Sequence, residues 1–133
     1  MEKARKEYTI HEISPFIDWT YFFKFWDFGP EYATIARIQG CDVCRATWLT
    51  KFEEDKRTKA AEAMQLLKEA NRMLELLDRD YSITVRTTEQ GESVSLDEEV
   101  QLLFEKDDKK RKMVKTLSEC LLKACERKLK QQL

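Results

Sequence analysis

Glycine and proline are scarce, three and two among 133 residues, so the chain has little material for a many-turned β-sandwich or a glycine-rich phosphate loop. Helices are the default. Charge of one sign is missing as well. The 24 Lys and Arg stand against 25 Asp and Glu, a formal charge of −1, which leaves no single-signed field of the kind nucleic acid requires. No apolar run approaches the roughly 20 residues of a membrane-spanning helix, and Met1-Glu2-Lys3-Ala4-Arg5-Lys6 has no apolar stretch behind it to make a secretory signal. The expected location is the cytoplasm, with neither membrane nor nucleic acid as partner. What is present is 42% hydrophobic and 37% charged sequence. The charge exceeds the roughly 25% of an average domain, but enough apolar residues remain for a core. One soluble unit is expected.

Four cysteines and one histidine limit the site chemistry. Cys41 and Cys44 form a C-x-x-C in Gly40-Cys41-Asp42-Val43-Cys44, a spacing shared by redox dithiols and by half of many structural zinc sites. A thioredoxin-like reading needs a βαβ context, and the flanks here are charged helical sequence. A four-thiolate zinc site needs a second close pair, yet five residues on a helix turn Cys120 and Cys125 about 500° apart, onto different sides. The reading favoured is inert thiols in a reducing cytoplasm, with Cys41 and Cys44 reduced and metal-free. His11 adds no helical partner ligand.

Along the chain, residues 1–12 read as a loosely ordered lead-in, followed by Ser14-Pro15. Asp18 can cap a helix through Trp19, Phe22, Phe23, Phe25 and Trp26. Trp19, Phe22, Phe23 and Trp26 share one face, a core-filling wall, and Gly29-Pro30 ends the helix. Pro30 opens a second short helix, Glu31 to Ile38, stopped by Gly40 beside the C-x-x-C loop. From about Thr58 a 4-3-4-3 stripe of Ala63, Leu67, Ala70, Leu74 and Leu77 marks a long amphipathic helix flanked by Met64, Leu66 and Met73. The period then changes. Ile83, Val85 and Thr87 alternate, Glu89-Gln90-Gly91 turns, and Val94 and Leu96 resume, which reads as one β-hairpin. Ser95-Leu96-Asp97-Glu98 has the form of a capping box before a short helix with Val100, Leu103 and Phe104 inward. The last helix, about Asp107 to Lys130, carries Met113, Val114, Leu117, Leu121 and Ala124 on its apolar side, with Leu129 as a further candidate. Lys109-Lys110-Arg111-Lys112 reads as a solvated face. No catalytic constellation and no complete metal site is found.

Ile17-Asp18-Trp19-Thr20-Tyr21-Phe22-Phe23-Lys24-Phe25-Trp26 resembles I-D-W-T-x-F-F-x-x-W, the opening of the S-adenosylmethionine-binding activation domain of cobalamin-dependent methionine synthase. Residues Ala61 to Leu74 are similar to that domain's E-A-x-x-L-F-K-D-A-N-x-M-L helix, and Met113-Val114-Lys115-Thr116-Leu117 to its M-V-K-A-L. The resemblance implies a reduced relative of that domain, an α+β fold, mainly α, with helices packed on one small β-hairpin spanning Ser82 to Leu96. In the family the cofactor is held by the aspartate of I-D-W-T, by a glutamate along the M-V-K-A-L helix, and by an R-P-A-P-G-Y-P-A-C segment beyond it. By the matching register Asp18 stands at the aspartate and is the cofactor-binding candidate, or else only a helix cap contributing about 1 kcal/mol. Lys123 falls at the glutamate, and the third segment would lie past Leu133.

The resemblance therefore implies an accessory chain associated with reductive methylation of cobalamin in methionine synthesis. It would have no chemistry of its own and would at most form part of a methionine synthase, or methyltransferase, system. No cofactor is expected to bind tightly, and S-adenosylmethionine or cobalamin enters only through a partner synthase. The other class is a non-enzymatic protein-binding or scaffolding module that has lost S-adenosylmethionine binding. With the family's middle sheet reduced, the aromatic wall either turns inward against Leu67, Leu74 and Leu121 or meets a second copy. A homodimer is the expected solution.

Overall fold

The computed structural model describes residues 6–38, 42–80, 84–87, 93–94, 104 and 106–131. The architecture is mainly helical with a small antiparallel sheet. By its contacts the chain divides into two compact units, Trp19–Asn71 and the pair of segments Met1–Asp18 and Arg72–Leu133.

In the Trp19–Asn71 unit, helix α2 (Trp19–Phe25) buries Phe22 and Phe23 completely and leaves Trp19 and Trp26 half-buried at the flanks. The helix ends before Gly29-Pro30. Asp27 takes the left-handed conformation at φ 62, the Phe28 N–H donates to the Phe23 carbonyl at 3.0 Å, and the Asp27 N–H donates to that of Lys24 at 3.2 Å. The Phe28 ring meets Phe23 edge-on at 5.7 Å. This paired closure with an apolar clasp is the Schellman motif, here built on Asp instead of Gly. Gly29 then caps α3 (Pro30–Ala33), with Pro30 in its first turn, and the chain tightens into a 3-10 turn, Thr34–Arg37.

The C-x-x-C expected on a loop is placed differently. Cys44 lies in the first turn of α4 (Asp42–Thr50), while Gly40 and Cys41 lie outside the described residues. Helix α4 carries no apolar stripe. Its only buried residue is Trp48, whose Nε1 donates to Thr34 Oγ1 at 2.9 Å. A 3-10 turn, Glu54–Lys56, leads into α5 (Arg57–Arg79), which starts within a residue of the expected position and buries Ala60, Ala63, Leu66 and Ala70 in this unit. Rings run on from Phe28 to Tyr32 (5.8 Å), to Phe52 (5.2 Å, stacked), to Trp48 (4.7 Å). The Lys59 ammonium sits over Phe28 and Tyr32 at 5.5 and 5.7 Å. Each such ring pair adds about 0.5–1.5 kcal/mol beyond its buried area.

In the other unit, part of the segment expected as a loose lead-in is built into the fold. Strand β1 (Lys6–Thr9) pairs antiparallel with β2 (Thr84–Thr87), placing Tyr8 opposite Val85, and β2 pairs with β3 (Ser93–Val94). The hairpin expected at this point is thus present, with an added third strand. Its turn, Ile83 and Leu96 lie outside the described residues. Thr9 ends the strand and starts α1 (Ile10–Ile13) through a reciprocal capping box. The Glu12 N–H donates to Thr9 Oγ1 and the Thr9 N–H to Glu12 Oε1, both at 3.2 Å. Ile10 and Ile13 are buried, and a 3-10 turn, Ser14–Phe16, follows.

The long helix α6 (Asp108–Gln131) packs on α1, on that turn and on β2 and β3. It buries Met113, Val114, Leu117, Leu121 and Ala124 as expected, and also Cys120 and Cys125. The two thiols do not divide between core and solvent, because the covered arc of α6 spans about 200° at 3.6 residues per turn. Buried Thr116 and Ser118 return their hydroxyls to the carbonyls of Lys112 and Val114 at 2.7 Å each. Lys109, Lys110, Arg111 and Lys112 are exposed, with Arg111 paired to Asp108 at 2.9 Å. The capping box of Ser95 to Glu98, the helix with Val100 and Leu103, and the side chain of Leu129 lie outside the described residues; Phe104 is half-buried.

Candidate functional site

Asp18 stands between the Ser14–Phe16 turn, closed by the Ile17 N–H on the Ser14 carbonyl at 3.1 Å, and the first residue of α2. Its carboxylate is met by α6. Arg127 Nη2 donates to Asp18 Oδ2 at 3.2 Å, and Arg127 Nη1 donates to the Phe16 carbonyl at 3.4 Å. The guanidinium thus holds the end of the turn and the acid beside it together. Both side chains remain open to water, 53% exposed for Arg127 and 40% for Asp18. A pair in such a setting contributes only about 0–1 kcal/mol.

Two turns earlier on the same face of α6, Cys120 is buried, and its thiol is pushed up to about 12. Burial is the main cause; the charges of Glu119 and Asp18 add to it and Lys123 opposes it. Asp18 and Lys123 therefore both act on one buried thiol. Cys125 is likewise pushed up to about 11 by burial, then by Glu126, against the pull of Lys128. The Lys128 ammonium lies 5.1 Å from the Phe16 ring centre and 5.6 Å from that of Tyr8. Burial, then the Cys125 and Glu12 charges, raise the Tyr8 phenol. Neither buried cysteine is a nucleophile near neutral pH, since the thiolate is the reactive form. Cys44 is an exposed thiol on α4. Among the described residues no group of three or more His, Cys, Asp or Glu could hold a metal ion, and no helix is long and apolar enough to cross a membrane.

A family model described as vitamin B12 dependent methionine synthase, activation domain, matches residues 9–133. The chain belongs to that family. No curated protein and no solved structure matches it.

Within this activation-domain chain, Asp18 occupies the position that the resemblance assigns to the cofactor-holding aspartate, and Lys123 on α6 occupies that of the glutamate. Arg127, one turn beyond Lys123, was not singled out by the sequence; its only signal there was the i, i+4 spacing from Lys123. S-adenosylmethionine carries a cationic ammonium, a cationic sulfonium and an anionic carboxylate. With Asp18 already accepting from a guanidinium and an ammonium where the family has a second carboxylate, the two cationic groups lack the anionic partners the family supplies, while the cations present suit only the carboxylate.

Proposed function

We propose that this chain is an accessory component of a vitamin B12 dependent methionine synthase system in the cytoplasm. It takes part in reductive methylation of cobalamin by docking on the synthase, without chemistry of its own and without holding S-adenosylmethionine tightly. The observation that carries this reading is the family match over residues 9–133; the Arg127–Asp18 hydrogen bond at 3.2 Å, which matches the remaining family carboxylate with a cation of the same chain, adds to it. An exposed pair worth about 0–1 kcal/mol would not by itself keep a ligand out. The charge at Lys123 weighs more, because a cation there removes an anchor and adds repulsion. Family membership supplies the link to the synthase. A homodimer stays within the reading, through surfaces other than the fully buried Phe22 and Phe23; sedimentation velocity at micromolar concentration checks it.

The test pairs capture with function. The tagged chain is mixed with the cobalamin-dependent methionine synthase of the same cell, and reductive methylation of the synthase's cobalamin is followed by its visible spectrum, with and without the chain. Co-purification and a several-fold faster return to the methylated form are expected. An unchanged rate with no co-purification would overturn the reading in favour of a scaffolding module unrelated to methionine.

A further inference from the structure

The Trp19–Asn71 unit contains a cleft of about 250 Å³ that the reading above does not use. None of its lining residues belongs to the unit that holds Asp18. Its lining mixes apolar and polar groups: Trp19, held edge-on against Phe22 at 5.3 Å, Ile35 and Leu67 are among the apolar ones. Its polar groups are Arg45 from α4 and Lys68 and Asn71 from α5, and among the described residues no acidic side chain lines it. The charges do not cancel. Arg45 shares its guanidinium with the fully exposed Asp42 at 3.3 Å. Lys68 has no ion-pair partner among the described residues. Among the described residues one positive charge is therefore in excess at a cleft that also presents apolar side chains.

We infer that this cleft binds a small monocarboxylate with an aromatic or branched aliphatic body. The single excess charge fits a monoanion, since a phosphate dianion would leave one charge unmatched. The planar guanidinium and the ammonium offer a carboxylate charge-assisted donors, and Asn71 adds a neutral one. Trp19, Ile35 and Leu67 take the body of the ligand. A volume of about 250 Å³ lies below the roughly 300–1,000 Å³ of sites for drug-sized ligands, so a nucleoside-bearing cofactor is too large for it.

The experiment is a calorimetric titration of the full chain with 2-naphthoate and, separately, with its neutral counterpart 2-naphthylmethanol. One saturable site for 2-naphthoate is expected, with binding at least tenfold tighter than for the alcohol. Lys68→Met keeps the aliphatic stem on an exposed helix position and should weaken 2-naphthoate at least tenfold while leaving the alcohol unchanged. Leu67→Glu places a carboxylate in the wall and should abolish 2-naphthoate binding, with circular dichroism reporting the fold of both variants. Equal binding of acid and alcohol, an unchanged affinity in Lys68→Met, or no saturable binding of 2-naphthoate at millimolar concentration would overturn the inference. None of these outcomes bears on docking to the synthase.

Discussion

The two units are stabilised by different means. Trp19–Asn71 is held by rings that meet within a short stretch of chain, from Phe23 through Phe28 and Tyr32 to Phe52 and Trp48. The other unit joins distant segments. Tyr8 lies opposite Val85 on paired strands, α6 covers α1, and Arg127 reaches Asp18 from 109 positions away. Local contacts form at little loop-closure cost, whereas distant ones need the chain closed first. The aromatic unit should therefore depend on individual rings, and the other on many smaller contributions.

The largest effect expected is that of Phe23→Ala, which empties a fully buried site and should cost about 3–5 kcal/mol. Denaturant unfolding measures the loss, and amide exchange locates it. Lost protection should concentrate in Trp19–Asn71, and an equal loss along α6 would show that the two regions unfold as one.

The other unit is probed next through pH. Cys120 and Cys125 hold their protons to about 12 and about 11, against an ordinary value of 9.0. Between pH 9 and those values the native state binds more protons than the unfolded chain. The stability these two thiols contribute should thus be fully present below about pH 9 and be lost as pH rises above it. The double variant Cys120→Ala, Cys125→Ala should have a shallower alkaline decline, and an identical decline in both proteins would refute the attribution to these thiols. A smaller change, about 1 kcal/mol, is expected for Thr9→Ala, which removes the capping box between β1 and α1; increased exchange in β1 alone would localise it. Arg127→Ala should have the least effect, under about 1 kcal/mol, since both partners are open to water. A loss of several kcal/mol would mean that the guanidinium anchors the Ser14–Phe16 turn.

Elements with a strong local period were legible in the sequence. The Ala63-to-Leu77 stripe gave α5, the aromatic spacing gave α2, and the alternation at Val85 gave the hairpin. Helix α4 was not legible, because it buries Trp48 alone and so has no stripe. Strand β1 escaped because four residues with a single buried apolar side chain show no period, although Thr9-x-x-Glu12 is a legible cap. The covered arc of α6 exceeds the stripe read from its leucines, so the depth of Cys120 and Cys125 depended on packing from several elements. At the candidate site the resemblance supplied Asp18 and Lys123. Arg127 came only from the fold, because no short-range pattern ties position 127 to position 18.

The most direct measurement is calorimetric titration of the full chain with S-adenosylmethionine. No binding tighter than about 10 μM, roughly −7 kcal/mol, is expected, and Asp18→Ala should leave the trace unchanged. A dissociation constant below that value, lost in Asp18→Ala with the melting temperature unaltered, would contradict the assignment of Asp18 as a carboxylate already satisfied by Arg127.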